Sequence, residues 1–153
     1  MNDRGDQAVR KLCRQLSRRH RAIGWACWLL FLSGGATLES FHGFKAGFYL
    51  DPGHSIRREM WTLAHAHGTL LAVVQLVFAA SLRSPGRWNE ARLKIASHFL
   101  LDGSLLVPVG FFLGGISHSE GDPSWGVLLV PAGALLLFVA IGLTVWASAG
   151  PGK

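Results

Sequence analysis

Residues 61–82 read WTLAHAHGTLLAVVQLVFAASL, 22 positions without an Asp, Glu, Lys or Arg. An α-helix rises about 1.5 Å per residue, so this run reaches the roughly 30 Å of a bilayer's hydrocarbon core. Three other stretches behave the same way. Residues 22–38 carry no charge, residues 95–117 carry only Asp102, and residues 125–152 carry none. The runs are continuous rather than alternating, which argues against a β-barrel. The fold class they predict is all-α, a four-transmembrane-helix bundle. The spans fall near residues 22–41, 60–82, 95–117 and 125–148. A basic segment, 1–21, precedes this 22–148 domain, and a short tail, 149–153, follows it. A cleaved signal peptide is the alternative for the first run. Against it, the run is longer than a usual signal core and ends in no small-x-small cleavage site.

Charge fixes an orientation. The 153 residues are 50% apolar and 16% charged, with a formal charge of +6. Seven basic residues precede the first span: Arg4, Arg10, Lys11, Arg14, Arg18, Arg19 and Arg21. Arg83, Arg87, Arg92 and Lys94 lie between spans two and three, and Lys153 is in the tail. The other side holds Lys45, Arg57 and Arg58. The positive-inside rule therefore puts both termini in the cytoplasm and the protein in a plasma (inner) membrane. The excess charge reports topology; a nucleic-acid role would need a folded basic surface carrying recognition elements, and the tail is too short to be one. In the basic segment, Val9, Leu12, Cys13 and Leu16 recur at helical spacing. They suit either a helix lying on the anionic leaflet or a solvated tail. Cys13 and Cys27 sit in the basic segment and in a span, which does not suggest a disulfide.

Loops and packing signals follow. Asp51-Pro52-Gly53 marks a turn in the long outer loop, near residues 42–59. The last outer loop, 117–124, is acidic, with Glu120 and Asp122. Trp61, Trp125 and Trp146 take positions of an aromatic belt. Gly110 and Gly114 form a GxxxG that favours tight packing or self-association. Pro108 and Pro131, inside spans, predict kinks.

The candidate chemistry lies in ionisable groups at membrane depth, where idle polarity is costly. These are Glu39 and His42, His65 and His67, and His98 and Asp102. Each is expected to face the bundle interior or another subunit. His65 and His67 are two apart, about 200° around a helix, so they cannot clamp one metal together. Either could ligate a metal or cofactor, since imidazole suits iron, copper and zinc, or could simply hydrogen-bond between helices. His98 and Asp102, four apart, share a face, as an oriented imidazole or a structural pair. No phosphate loop, nucleophile elbow, HExxH or zinc-type Cys/His set appears.

Three patches carry a family resemblance: Trp61-x-x-Ala64-His65, then Leu101-Asp102-Gly103 with Val109-Gly110-Phe111, then Gly121-Asp122 with Pro131 nine residues on. With four spans and similar loops, the chain resembles styrene oxide isomerase and, more distantly, hydroxylaminobenzene mutase. The resemblance covers most of residues 22–148. It implies a homo-oligomer, a trimer, with haem b held between subunits. His65 would be the iron ligand, with His67 as substitute, and Asp102 a catalytic or substrate-orienting group. The implied reaction is an epoxide-to-carbonyl rearrangement of a small apolar substrate. The chain departs from the family at Leu71, where the family has asparagine, at Phe112, where it has tyrosine, and at His67 and Gly68. The alternative reading is a non-catalytic haem- or metal-binding membrane protein, or a structural membrane subunit. Proton movement along Glu39, His98 and Asp102 is a third, with no continuous relay traced.

The orientation yields a direct expectation. In intact cells, with Cys13 and Cys27 replaced, a membrane-impermeant thiol reagent should label a cysteine at position 51 and spare one at position 87. Labelling of position 87 alone would invert the topology.

Overall fold

In a computed structural model, residues 3–83, 86–117 and 121–149 are described. Glu120 and tail residues 150–153, Lys153 among them, lie outside the described residues. The elements are α1 (Asp3–Gly43), α2 (Gly47–Leu50), α3 (Ser55–Ser81), α4 (Glu90–Ile116) and α5 (Leu129–Ser148). Short 3-10 turns at Pro52–His54 and Trp125–Leu128 lead into α3 and α5. Four helical stretches are long and apolar enough to cross a membrane: Gly5–Gly43, Pro52–Ser81, Glu90–Ile116 and Trp125–Ser148. An all-helical, multi-pass architecture thus stands among the described residues. Large apolar side chains face outward on all four, including Leu29, Leu70, Leu105 and Phe138. Such a surface suits acyl chains and would be costly in water.

Residues 3–43 form one unbroken helix, which carries the basic segment and the first apolar run together. At about 1.5 Å per residue it is roughly twice the hydrocarbon thickness. Its register against α3 is antiparallel. The Ser17 hydroxyl donates to the Ala79 carbonyl at 2.7 Å, Gly24 meets Ala72 and Leu76, and the Phe31 carbonyl meets His65. The part of α1 level with span two therefore begins near Leu16. The helical series Leu12, Cys13 and Leu16 is what continues the helix inward. Leu16 joins the core with Phe78, Leu82, Leu93, Ala96, Leu100 and Ala140, and Leu12 and Cys13 pack against it. Neither a leaflet-bound helix nor a loose tail describes this segment. Cys13 and Cys27 are free.

The four long helices pack as a chain of neighbours: α1 on α3, α3 on α4, α4 on α5. The last pair meets at a small-residue seam. A Cβ on Gly103 would lie 2.8 Å from the Gly133 carbonyl, and one on Gly110 would be 2.9 Å from Val130. On the other side, Gly115 accepts the Trp61 ring. The glycines thus serve close packing within one chain. Pro108 is fully buried inside α4. Pro131 falls in the first turn of α5, directly after the 3-10 turn Trp125–Leu128.

Two arginines close the outer end. Arg57 donates to the carbonyls of Phe48 at 2.7 Å and of Gly115 and Ile116 at 3.3 Å each. Arg58 donates to those of Tyr49 and Leu50, both at 3.2 Å. A cation at the carboxyl end of α4 satisfies carbonyls the helix leaves open and complements its dipole. Trp61, expected in an interfacial belt, instead points its indole N–H to the Phe112 carbonyl at 3.2 Å. Trp125 is fully open, at 86% exposure.

The glycine contacts predict opposite outcomes for one substitution. Gly103→Ala should destabilise the protein by about 1–3 kcal/mol, because α5 backbone must move. Gly142→Ala, with nothing within 4 Å of the new methyl, should be neutral or stabilising by up to about 1 kcal/mol. Thermal unfolding in mild detergent measures both.

Candidate functional site

Polar groups along the long helices fall into separate places. The first was not among the sequence candidates. His20, on α1, is completely buried, as are Gln75 on α3 and Ser97 on α4. His20 Nδ1 is hydrogen-bonded to Gln75 Oε1. His20 Nε2 lies 2.8 Å from Ser97 Oγ. Gln75 Nε2 donates to the Leu100 carbonyl at 3.2 Å and to Ser104 Oγ at 2.9 Å. The Leu100 carbonyl can only accept, which settles the amide's direction. Gln75 Oε1 then faces His20, so Nδ1 carries the proton. In the neutral imidazole Nε2 accepts from the Ser97 hydroxyl. The Phe78 ring meets the imidazole edge-on at 4.7 Å.

This chain of bonds joins three helices toward the end of the bundle that carries the α3–α4 connection. His20 was overlooked because it sits just before the charge-free run. The available signal was the series Leu12, Leu16, His20, four apart on one face. Gln75 and Ser97 carry no charge, so a search for ionisable groups passed over them.

The second place holds the two histidines of α3. They face different neighbours, as their spacing requires. His65 is half-buried against α1, and its Nδ1 donates to the Phe31 carbonyl at 2.7 Å. The contact is reciprocal: the His65 ring lies over Gly35, and the Phe31 ring lies over Gly68. Each glycine is a hole for the opposite ring. Gly68, one of the departures from the resembled family, thus has a packing reason. Nε2 of His65 takes no hydrogen bond among the described residues. His67 Nδ1 donates to the Leu63 carbonyl of its own helix at 2.9 Å. Its ring tilts against Phe111 of α4, 4.8 Å between centroids.

The third place is an outer face of α4. His98 and Asp102 are both exposed there. His98 Nδ1 donates to the Lys94 carbonyl at 2.8 Å, and no bond joins it to Asp102 among the described residues. Gln75 reaches Leu100 and Ser104, so Asp102 lies level with Gln75. That is ten residues from His65 along α3, about 15 Å. Within one chain Asp102 and His65 do not come together. Glu39 and His42 are also exposed, at the outer end of α1. His42 rests on the Tyr49 ring at 5.2 Å. No relay connects Glu39, His98 and Asp102 among the described residues.

Among the described residues no group of three or more His, Cys, Asp or Glu side chains is placed to hold a metal ion. A haem makes a smaller demand, since its porphyrin supplies the in-plane donors and the protein an axial imidazole. Among the span histidines, His65 has its Nδ1 on a carbonyl of another helix. Metal-bound histidines characteristically donate their other ring N–H to a carbonyl or carboxylate, which fixes the tautomer. The Phe31 carbonyl does this for His65 and leaves Nε2 as the unprotonated donor.

No protein family, curated protein or solved structure matches this chain.

Removing the imidazole of His20 strands Gln75 Oε1 and Ser97 Oγ in the core. His20→Ala should cost about 1–3 kcal/mol of stability. Combined with Gln75→Leu, the loss should be smaller than the sum of the two single losses. Detergent unfolding of the four proteins of the cycle measures the coupling, and simple additivity would show that the bond carries no weight.

Proposed function

We propose that this protein is a membrane-embedded, haem b-dependent isomerase of a small apolar substrate, with His65 as the axial ligand. The observation that supports it is the tether of His65 Nδ1 to the Phe31 carbonyl. A bound ferric haem would supply a Lewis acid for an epoxide oxygen. The chain's own residues do the rest. The Phe31 carbonyl and Gly35 orient the imidazole and hold its proton on Nδ1. Phe31, packed over Gly68, gives the imidazole an apolar neighbour that favours an apolar ligand. No carboxylate stands beside His65 among the described residues. That suits an internal rearrangement, in which a carbon–oxygen bond opens and hydride migrates to the neighbouring carbon. Such a step consumes no external proton and has no net redox change.

The same reading includes self-association. Asp102 faces outward from a span, and a carboxylate facing acyl chains is expensive. A second copy of the chain covering His98 and Asp102 removes that cost. Asp102 then belongs to a subunit contact rather than to the reacting centre. The rival reading is a non-catalytic haem-binding or structural membrane protein, and the His20 hydrogen-bond chain is the kind of structural polarity it needs.

Protein purified from haem-sufficient cells should show a Soret band. His65→Ala should reduce it at least about tenfold, and His67→Ala should leave it largely intact. Incubation with styrene oxide should give phenylacetaldehyde, followed by gas chromatography. Haem without turnover would favour the non-catalytic reading, and a colourless preparation would remove haem from both.

A further inference from the structure

The cytoplasmic end of the bundle holds an open groove between the start of α1, the α3–α4 connection and the end of α5. Arg10, Arg14, Arg18 and Arg21 line it from α1. Three or four residues separate each from the next, so they form one stripe on the helix. Arg83, Arg87 and Arg92 line it from the opposite wall. Asp6 is the one acidic residue in the lining. Seven guanidiniums thus converge from separate elements on one space. Among the described residues the single ion pair is Lys94–Glu90, which lies outside that lining. The mutual repulsion of these arginines is therefore not balanced within the described chain.

Two details separate the groove from a generic basic surface. Arg92 and Arg87 stack on the Trp146 ring, at 4.1 and 5.3 Å from its centroid. Stacking leaves the edges of the guanidinium, and so its N–H forks, free for an acceptor. The groove also lies at a definite depth. Ser17 and Leu82 are in its lining, and Ser17 bonds the last turns of α3. That places the forks where the apolar span ends, at the level of the lipid headgroups. Topology alone asks for positive charge on this side; it does not ask for convergence on one cleft.

We propose that this groove is a binding site for the phosphate of an anionic phospholipid in the cytoplasmic leaflet. The forked donors of Arg87 and Arg92 match a phosphate's oxygens, and the α1 stripe supplies further charge. The exposed apolar face of α1 continues outward from the groove through Trp25 and Leu29. That face gives the acyl chains a surface to lie on. A free phosphate would use the same donors without it.

The test compares charge-matched variants of the full-length protein in nanodiscs. Binding of phosphatidylglycerol is read by native mass spectrometry against a phosphatidylcholine background. Arg87→Gln/Arg92→Gln should weaken retention about 30-fold, from roughly five- to sixfold per lost arginine. Lys11→Gln/Arg19→Gln removes the same charge outside the groove and should change it less than about threefold. Arg14→Gln/Arg18→Gln, on the other wall, should repeat the loss, and it provides the reading if the first pair does not fold. Equal loss in the control pair would reduce the effect to net charge and overturn the proposal. So would retention unchanged in both groove pairs. Displacement of the lipid by glycerol phosphate at equal concentration would assign the site to soluble phosphates and overturn the lipid assignment.

Discussion

The structure depends on satisfying polar groups where no water can do so. His20 is the centre of that constraint. Its two ring nitrogens engage Gln75 of α3 and Ser97 of α4, and Gln75 passes the chain on to Leu100 and Ser104. In hydrocarbon, each of these groups would cost more unpaired than it returns when paired. The network is therefore a constraint on arrangement more than a source of net stability. It fixes the rotation of α1 about its axis and its sliding along α3. With that rotation set, Leu16 enters the core, and the Arg10–Arg14–Arg18–Arg21 stripe turns toward the connection between α3 and α4.

The same register sets the outer half. Once Ser17 is level with Ala79, Phe31 falls opposite Gly68 and Gly35 opposite His65. Ring over glycine, twice, brings the two backbones close enough for the Phe31 carbonyl to accept a hydrogen bond from the imidazole N–H. A methyl on either glycine would collide with a ring. The α4–α5 pair solves its packing by the same means, with Gly103 against the Gly133 backbone. Lipid gives such helices no hydrophobic reason to associate, so close van der Waals contact and hydrogen bonds carry the association. At the opposite end of the bundle Arg57 and Arg58 bind carbonyls of the α2 turn and the end of α4. The outer connection is thus held by cations that topology alone would count as stray exceptions.

Much of the architecture was legible in the chain, because charge-free runs of about 20 residues have few other uses. The separation of His65 from His67 onto different neighbours also followed from spacing alone. The start of the first helix did not. Arginines were read as an end to the span, yet Arg14, Arg18 and Arg21 are long enough to stay at the interface while Leu16, Ser17 and His20 face inward. The candidate site was legible in part. His65 was visible as an imidazole in an apolar run, but its tether to Phe31 joins residues 34 apart in the chain. The partnership of His20, Gln75 and Ser97 spans 77 positions between its ends, and no local pattern announces it.

Sequence by itself determined the all-helical class, the number of helices long and apolar enough to cross a membrane, and the bunching of charge between them. These follow from length, hydropathy and the cost of charge in hydrocarbon, which are properties of single segments. Tertiary structure decided which polar groups meet, because that depends on helix rotation and register. It put His20 at the centre of a three-helix hydrogen-bond chain, took Asp102 out of reach of His65, and gathered arginines from separate elements into one groove.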